Sequence, residues 1–321
     1  MTVHVEAPPY VEERLALDSG GWRIPAVLTS PRDGKPVSAV LLVPGSLFLD
    51  ADGNMPFMNI YPHTYADLAR QLAGQGHAVL RFAKRGPGTG SEKVDEEAAA
   101  RHRGFRSHVD VARAALDALL ARVDAPAVLA GHSEGAVVAT LLAAEDGRVH
   151  GVVTLSGPAT GIFAIMREQL PLPEGSPPEA YATFDRVVAD VRAGQEVSAE
   201  TLAAHPTTAG MSQIGPEGLR YLAEVDAIDP AQALARIEAP VLVLQGGRDP
   251  SVREHHARTL AQARGSRPTE IALFPELQHF YKRVPAGLDP FASFAVSDES
   301  DPAVAEAIAA WIRKVVVKGG R

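Results

Sequence analysis

The chain has 321 residues, of which 46% are hydrophobic and 22% are charged, and its formal net charge is −8 at pH 7. Lysine and arginine form no cluster and no apolar run approaches the length of a bilayer span, which argues against nucleic acid and membrane as partners. The absence of cysteine excludes thiol catalysis, cysteine-ligated metal sites and disulfides.

The first half of the chain begins with two predicted strands and then alternates between strands and helices. The first residues lack the basic start and apolar run of a signal peptide, so we expect a cytoplasmic protein. Residues 15–17 and 22–28 flank a glycine turn and predict a hairpin. Further elements follow in turn, with strands at 39–43, 78–82, 128–130 and 152–155 and helices at 65–72 and 108–123. This alternation predicts an α/β fold with a mostly parallel, twisted sheet flanked by helices.

Residues 158–238 interrupt the alternation. They contain helical segments and proline-rich joints but no run of strand character, so they cannot add a strand to the sheet. The alternation then returns, with strands at 241–245 and 270–274 and a closing helix at 303–316. We therefore predict a helical cap at 158–238, inserted into a core that consists of residues 1–157 and 239–321.

The most informative segment is 127–140, where a short apolar run is followed by Gly131-His132-Ser133-Glu134-Gly135 and then by residues that suit a helix. This order predicts a strand, a sharp turn and a helix, with Ser133 at the apex of the turn. Strand and helix approach each other closely there, which requires glycine at positions 131 and 135. Ser133 is the candidate nucleophile, and the backbone N–H of Glu134 is a candidate donor to an oxyanion.

Partners for Ser133 are expected after the other strands, because ligands in open α/β sheets bind beyond the carboxyl ends of the strands. Ser46 follows the strand at 39–43, and its N–H is the candidate second oxyanion donor, although the turn there could be an ordinary loop. Asp249 is the candidate acid; taken alone, an aspartate before proline more often makes a turn or a helix cap. His279 follows the last strand and is the candidate base.

Several segments give the chain a resemblance to a known superfamily. They are Pro-Gly-Ser at 44–46 with Asp-Ala-Asp-Gly-Asn at 50–54, Lys-Arg-Gly-Pro-Gly at 84–88, the serine turn at 131–135, Gln-Gly-Gly-Arg-Asp at 245–249 and Gln-His-Phe at 278–280. In these segments, and in the chain order nucleophile, acid, base, the sequence resembles the α/β-hydrolase superfamily, specifically its bacterial carboxylesterase-like serine hydrolases. It departs from them at Leu47, where a second glycine is frequent, and at Ala83 and Gln278, where aspartate and asparagine are frequent.

Other residues have two interpretations each. Leu47 and six residues of the predicted cap are candidates for binding substrate, although such cap residues more often pack inside the cap itself. The six are Phe163, Met166, Tyr181, Phe184, Met211 and Tyr221. Lys84 and Arg85 form either an anion site or a brace between loops. His255 and His256 lie in a predicted helix and are expected to be solvated.

These residues together predict a serine hydrolase that cleaves carboxylic esters through an acyl-enzyme intermediate. The expected partner is a small-molecule ester or amide substrate, and the sequence indicates neither an organic cofactor nor a metal. The same triad serves aminopeptidases or prolyl-type peptidases, thioesterases and acyltransferases, which the sequence does not separate. The alternative from another class is a non-catalytic ligand-binding protein that keeps the fold. Monomer and homodimer are both open.

Overall fold

The computed structural model describes residues 7–170, 172–173 and 175–317. Residues 1–6, on which part of the prediction of location depends, lie outside the described residues. Within the described part, the chain forms one nine-stranded sheet. Its strands are β1 (Tyr10–Ser19), β2 (Trp22–Pro31), β3 (Ala39–Val43), β4 (Ala78–Phe82), β5 (Glu92–Lys93), β6 (Ala127–His132), β7 (Val149–Leu155), β8 (Val241–Gly246) and β9 (Thr269–Phe274).

The sheet is mostly parallel. The strands lie in the order β1-β2-β4-β3-β6-β7-β8-β9, with β5 paired to β2. β2 pairs antiparallel with β1, β4 and β5, whereas all other neighbours are parallel. Leu41 of β3 pairs with Leu80 of β4 and with Leu129 of β6, and all three side chains are fully buried. Such apolar strands suit the middle of a sheet covered on both faces, and the predicted fold class is confirmed.

The described residues form twelve α-helices, several of which cover the two faces of this sheet. They are α1 (Thr64–Ala73), α2 (Glu96–Arg101), α3 (Arg106–Leu120), α4 (Glu134–Glu145), α5 (Ile162–Glu168), α6 (Ala182–Arg192), α7 (Ala199–Ala203), α8 (Gly215–Asp226), α9 (Pro230–Ala235), α10 (His255–Ala263), α11 (Pro290–Phe294) and α12 (Pro302–Trp311). Leu116 of α3 and Leu142 of α4 belong to one hydrophobic cluster, and Leu68 of α1 and Ile308 of α12 belong to a second. Among the described residues, no helix has the length and apolar character that crossing a membrane requires.

The stretch between β7 and β8 consists of helices α5 to α9 and short 3₁₀ turns, without a strand at its described positions. Eight of its buried side chains form a hydrophobic cluster of their own: Phe163, Phe184, Val187, Val188, Val191, Leu202, Met211 and Leu219. Helix α9 differs, because it packs against α4 and α10 and its Leu234 joins the cluster of α3 and α4. We call residues 158–238 the helical insertion, and its function as a cap stays a prediction.

Candidate active site

Ser133 occupies a sharp turn between β6 and α4. Its backbone lies at φ 54° and ψ −123°, a conformation that a residue with a side chain rarely adopts and that costs about 1–3 kcal/mol. Two hydrogen bonds hold the turn: the Ser133 N–H donates to the carbonyl of Leu155 at 2.8 Å, and the Ala136 N–H donates to the carbonyl of Ser133 at 2.9 Å. The turn therefore holds Ser133 at the carboxyl end of the parallel strands.

Two glycines allow strand and helix to meet at this turn. A Cβ atom on Gly131 would lie 2.2 Å from the carbonyl oxygen of Gly135, and one on Gly135 would lie 2.3 Å from that of Val43. Both distances are far below van der Waals contact and both involve backbone, which cannot move aside. The close approach predicted from the sequence accounts for both glycines.

His279 and Asp249 form a buried pair at the same end of the sheet. Nδ1 of His279 lies 2.8 Å from Oδ2 of Asp249, so Nδ1 donates and Nε2 is left free to accept a proton. The other carboxylate oxygen accepts from the N–H groups of Ser251 at 2.8 Å and Val252 at 3.0 Å. Burial raises the pKa of Asp249, but the charge and hydrogen bond of His279, with further hydrogen bonds from Val252 and Ser156, outweigh burial and lower it. Asp249 is therefore ionised at neutral pH.

His132, the residue before Ser133, lies beside His279. The rings of His132 and His279 have centroids 4.6 Å apart. Among the described residues, no hydrogen bond joins the Ser133 hydroxyl to the imidazole of His279, so this link of the triad stays a prediction. Hydrogen bonds of this kind commonly tighten only when substrate is bound.

A directed chain of hydrogen bonds connects the predicted oxyanion loop to the predicted base. The Gly45 N–H donates to the Tyr65 hydroxyl at 2.9 Å, the hydroxyl lies 3.0 Å from Nδ1 of His132, and Nε2 of His132 lies 2.9 Å from the carbonyl of His279. Because a carbonyl only accepts, Nε2 of His132 carries the proton and Nδ1 accepts from Tyr65. Burial, and then the charge of His279, lower the pKa of His132 to about 3, so this imidazole is neutral.

One pocket contains the candidate nucleophile and both candidate oxyanion residues, Ser46 and Glu134. Its volume is about 410 Å³ including the space that opens to solvent. Its remaining wall comes from the core and the helical insertion: Val137, Pro158, Thr160, Ile162, Ile165, Val225, Pro230 and Val252. These residues were not singled out from the sequence, although Pro158 and Thr160 follow the end of β7 and Val252 follows Asp249, positions where a ligand is expected.

The seven residues predicted to bind substrate lie outside this pocket wall. Phe163, Phe184 and Met211 belong to the hydrophobic cluster of the insertion, and Met166 packs against that cluster. Their packing inside the insertion was the alternative interpretation.

The other three lie at different places. Leu47 follows Ser46, has a φ of 69° and is 54% exposed. The Tyr181 ring lies 3.7 Å from the Arg167 guanidinium carbon. Tyr221 packs edge-on against His108 of α3, with centroids 5.7 Å apart.

Lys84 and Arg85 brace neighbouring segments. Nζ of Lys84 lies 2.8 Å from Oε1 of Glu134, and both side chains are buried. Nη1 of Arg85 donates to the carbonyl of His102 at 2.8 Å, and Nη2 donates to the Ser107 hydroxyl. Since both cations have protein partners, the structure favours the brace over the anion site.

One group of potential metal ligands comes together in the described part of the chain, Glu168 with His255 and His256, whose ligand atoms lie within 4.8 Å of one another. Nδ1 of His256 accepts from the Ala159 N–H at 3.1 Å, so Nε2 carries the proton and donates to Glu168 at 3.2 Å. A protonated nitrogen has no lone pair for a metal, so this arrangement fits a hydrogen bond between insertion and core. His255 is exposed, but His256 is fully buried, and the expectation that His256 is solvated was wrong.

The chain is similar to known hydrolases in sequence and in fold. Residues 58–281 match the family model Hydrolase_4, described as serine aminopeptidase, S33. Esterase EstD of Thermotoga maritima is 27% identical over 315 residues, which are 96% of this chain and 70% of that protein.

Two solved structures share the fold. The esterase domain of a Rhodothermus marinus protein has a TM-score of 0.57 and 20% identity, covering 95% of this chain and 99% of that one. Est1E from Butyrivibrio proteoclasticus has a TM-score of 0.56 and 14% identity, covering 94% and 98%. The chain thus belongs to the Hydrolase_4 (serine aminopeptidase, S33) family, and it is a serine hydrolase with the α/β-hydrolase fold.

Proposed function

We propose that the protein hydrolyses carboxylic esters of small molecules through an acyl-enzyme formed on Ser133. The proposal rests on the His279–Asp249 hydrogen bond of 2.8 Å, together with a serine held in a strained turn at the same end of the sheet. The name of the Thermotoga maritima relative, an esterase, supports esters as the substrate class.

In the first half of the reaction, Oγ of Ser133 attacks the ester carbonyl while Nε2 of His279 takes the hydroxyl proton. Asp249 stabilises the imidazolium that forms. The N–H groups of Ser46 and Glu134 donate to the oxyanion of the tetrahedral intermediate. The intermediate collapses by breaking the bond to the alcohol oxygen, and His279 returns the proton to that oxygen.

In the second half, water attacks the acyl-enzyme while His279 takes a proton from it. The new tetrahedral intermediate breaks the bond to Oγ of Ser133, which regains its proton from His279, and the carboxylic acid leaves. Every proton moves through one imidazole, which Asp249 keeps in the required tautomer.

The pocket wall supports a short, mainly apolar acyl group. Apart from the proposed catalytic residues, Thr160 is the one residue of this wall with a polar side chain, and its buried hydroxyl has no hydrogen-bond partner among the described residues. A polar atom of the substrate would satisfy that hydroxyl. Because Ile162, Ile165 and Val225 belong to the helical insertion, we also propose that the insertion acts as a cap that sets substrate size.

The charges in the pocket favour an ester over an N-terminal peptide substrate. An aminopeptidase needs an unpaired carboxylate to bind the substrate ammonium group. Glu134 supplies the carboxylate of this wall, and its Oε1 is paired with Lys84 at 2.8 Å. The proposal therefore differs from the activity that the family description names.

Two measurements test the proposal. A fluorophosphonate probe should label the wild type and the Ser176→Ala control, whose substitution lies outside the pocket wall, but not Ser133→Ala. Wild-type enzyme that has not been exposed to the probe should hydrolyse p-nitrophenyl acetate or butyrate faster than aminoacyl and prolyl p-nitroanilides. An unlabelled wild type would indicate a non-catalytic binding protein, and faster amide hydrolysis would indicate a peptidase.

A further inference from the structure

A buried ion pair lies directly beside the proposed oxyanion site. The side chains of Lys84 and Glu134 are 7% and 8% exposed, and their charged atoms are 2.8 Å apart. Oε2 of Glu134 also accepts from the Ser46 hydroxyl at 3.3 Å. One carboxylate therefore connects the loop after β3, the segment after β4 and the helix that follows Ser133.

The charge balance around this carboxylate depends on Lys84. In the described part of the chain, Lys84 is the one cation within ion-pair distance of Glu134. Tyr221 of the insertion also interacts with Glu134: burial raises the pKa of Tyr221, and the charge of Glu134 and a hydrogen bond with its side chain raise that pKa further. Burial lowers the pKa of His108 well below its usual range, and the charges of Lys84 and Arg85 lower it further.

The position of Glu134 makes its charge important for catalysis. Its backbone N–H is a proposed donor to the oxyanion, and covalent geometry keeps its carboxylate within about 6 Å of that nitrogen. A negative charge so close would oppose the negative charge that develops on the substrate oxygen. At the effective dielectric constant of a protein site, this repulsion corresponds to a rate loss of about 50-fold.

We propose that Lys84 is a positioning residue for ester hydrolysis, which cancels the charge of Glu134 beside the developing oxyanion and holds the Ser46 loop against the nucleophile helix. The inference rests on the proposed function. A brace without an electrostatic role would make the two partners equally important, because the same ion pair is lost whichever one is replaced. Charge cancellation predicts instead that kcat falls more when Lys84 is replaced than when Glu134 is replaced.

The test compares Lys84→Met, Glu134→Gln and the double variant, with Lys84→Arg as the conservative replacement. Lys84→Met leaves an unpaired carboxylate and should lower kcat about 50-fold with little change in KM, since the ground-state ester is neutral. Glu134→Gln keeps an oxygen that accepts from Ser46 and leaves a positive charge, so its kcat should exceed that of the double variant. The double variant should return to within about tenfold of the wild type, and Lys84→Arg should stay above Lys84→Met.

Equal losses in Lys84→Met and Glu134→Gln, with a double variant slower than either, would overturn the inference. Thermal unfolding and fluorophosphonate titration count the folded, competent enzyme in each sample. If Lys84→Met does not fold, the comparison of Glu134→Gln with the double variant decides, and equal kcat values contradict the inference. A wild type without esterase activity would refute the proposed function instead, so the two failures are distinguishable.

Discussion

Nε2 of His132 donates to the backbone carbonyl of His279 at 2.9 Å, and this bond connects the residue before the proposed nucleophile to the proposed base. The same imidazole accepts from Tyr65, whose oxygen accepts from Gly45. These hydrogen bonds fix three loops against one another, and in the first and last bond one atom can only donate or only accept, which sets the direction of the bond between them. They explain how segments far apart in sequence are held in one arrangement.

Tyr65→Phe should weaken this arrangement. The substitution leaves the Gly45 N–H and Nδ1 of His132 without their partner, which should lower the free energy of unfolding by about 1–3 kcal/mol. We expect kcat/KM for p-nitrophenyl acetate to fall about tenfold, since the oxyanion loop and the base lose their common support. Urea unfolding and steady-state kinetics measure both effects. Tyr61→Phe is the matched control because Tyr61 is 42% exposed; identical behaviour of the two variants would contradict a positioning role for Tyr65.

Substitution of the proposed triad should give losses of unequal size. Ser133→Ala and His279→Ala should each lower kcat about 10⁶-fold, and Asp249→Asn about 10⁴-fold, because the asparagine leaves the imidazole in the wrong tautomer. Stopped assays at enzyme concentrations determined by absorbance provide the measurement.

Glu276 is the control for the acid, since it is a carboxylate near His279 that is 52% exposed and paired with Arg283. Glu276→Gln should retain wild-type turnover. Normal turnover in Asp249→Asn together with a large loss in Glu276→Gln would assign the acid to Glu276.

The stability of the protein should fall in acid partly through His132. The pKa of His132 in the folded protein, about 3, lies below the ordinary histidine value of 6.5, so the unfolded state binds more protons between these values and stability rises with pH across that window. Between pH 7 and about pH 4.5 this one group should cost on the order of 2–3 kcal/mol. In His132→Gln the loss over this range should be smaller by that amount, as measured by urea unfolding at each pH. His255→Gln, at an exposed position, should keep the wild-type slope; equal slopes in all three proteins would show that His132 does not titrate in this way.

Ile165→Ala should change the preference for acyl chain length. Ile165 is buried in the pocket wall, and shortening it enlarges the space beside Ser133, so the best p-nitrophenyl ester should become longer by about two carbons. Phe184→Ala is the control, because Phe184 belongs to the cluster inside the insertion.

Both substitutions remove buried apolar atoms and should lower stability by about 2–5 kcal/mol, but only Ile165→Ala should alter the ratio of kcat/KM values along the ester series. A shift in Phe184→Ala of the same size would place the acyl group in the insertion instead of the pocket.

The periodicity of the sequence predicted most elements to within a few residues. The strand predicted at 128–130 extends over Ala127–His132, and the closing helix ends as an α-helix at Trp311 and continues as a π-helix. Short elements such as β5 and α11 were not predicted, because two to five residues do not complete enough of a period to be distinguished from a loop.

By itself, the sequence determined the fold class and that Ser133, Asp249 and His279 each follow a strand, and the carboxyl ends of parallel strands share one edge of the sheet. That the three residues form a triad stays a prediction. The sequence could not determine which apolar face of α5 lines the pocket. Ile162 and Ile165 contact the pocket, whereas Phe163 and Met166, one residue further along, pack into the insertion. Both pairs have helical spacing, so periodicity does not distinguish them. The sequence likewise did not predict that Lys84 pairs with Glu134, which is fifty residues away. Only the tertiary structure decides such choices, because they depend on which surfaces the packing of distant elements brings into contact.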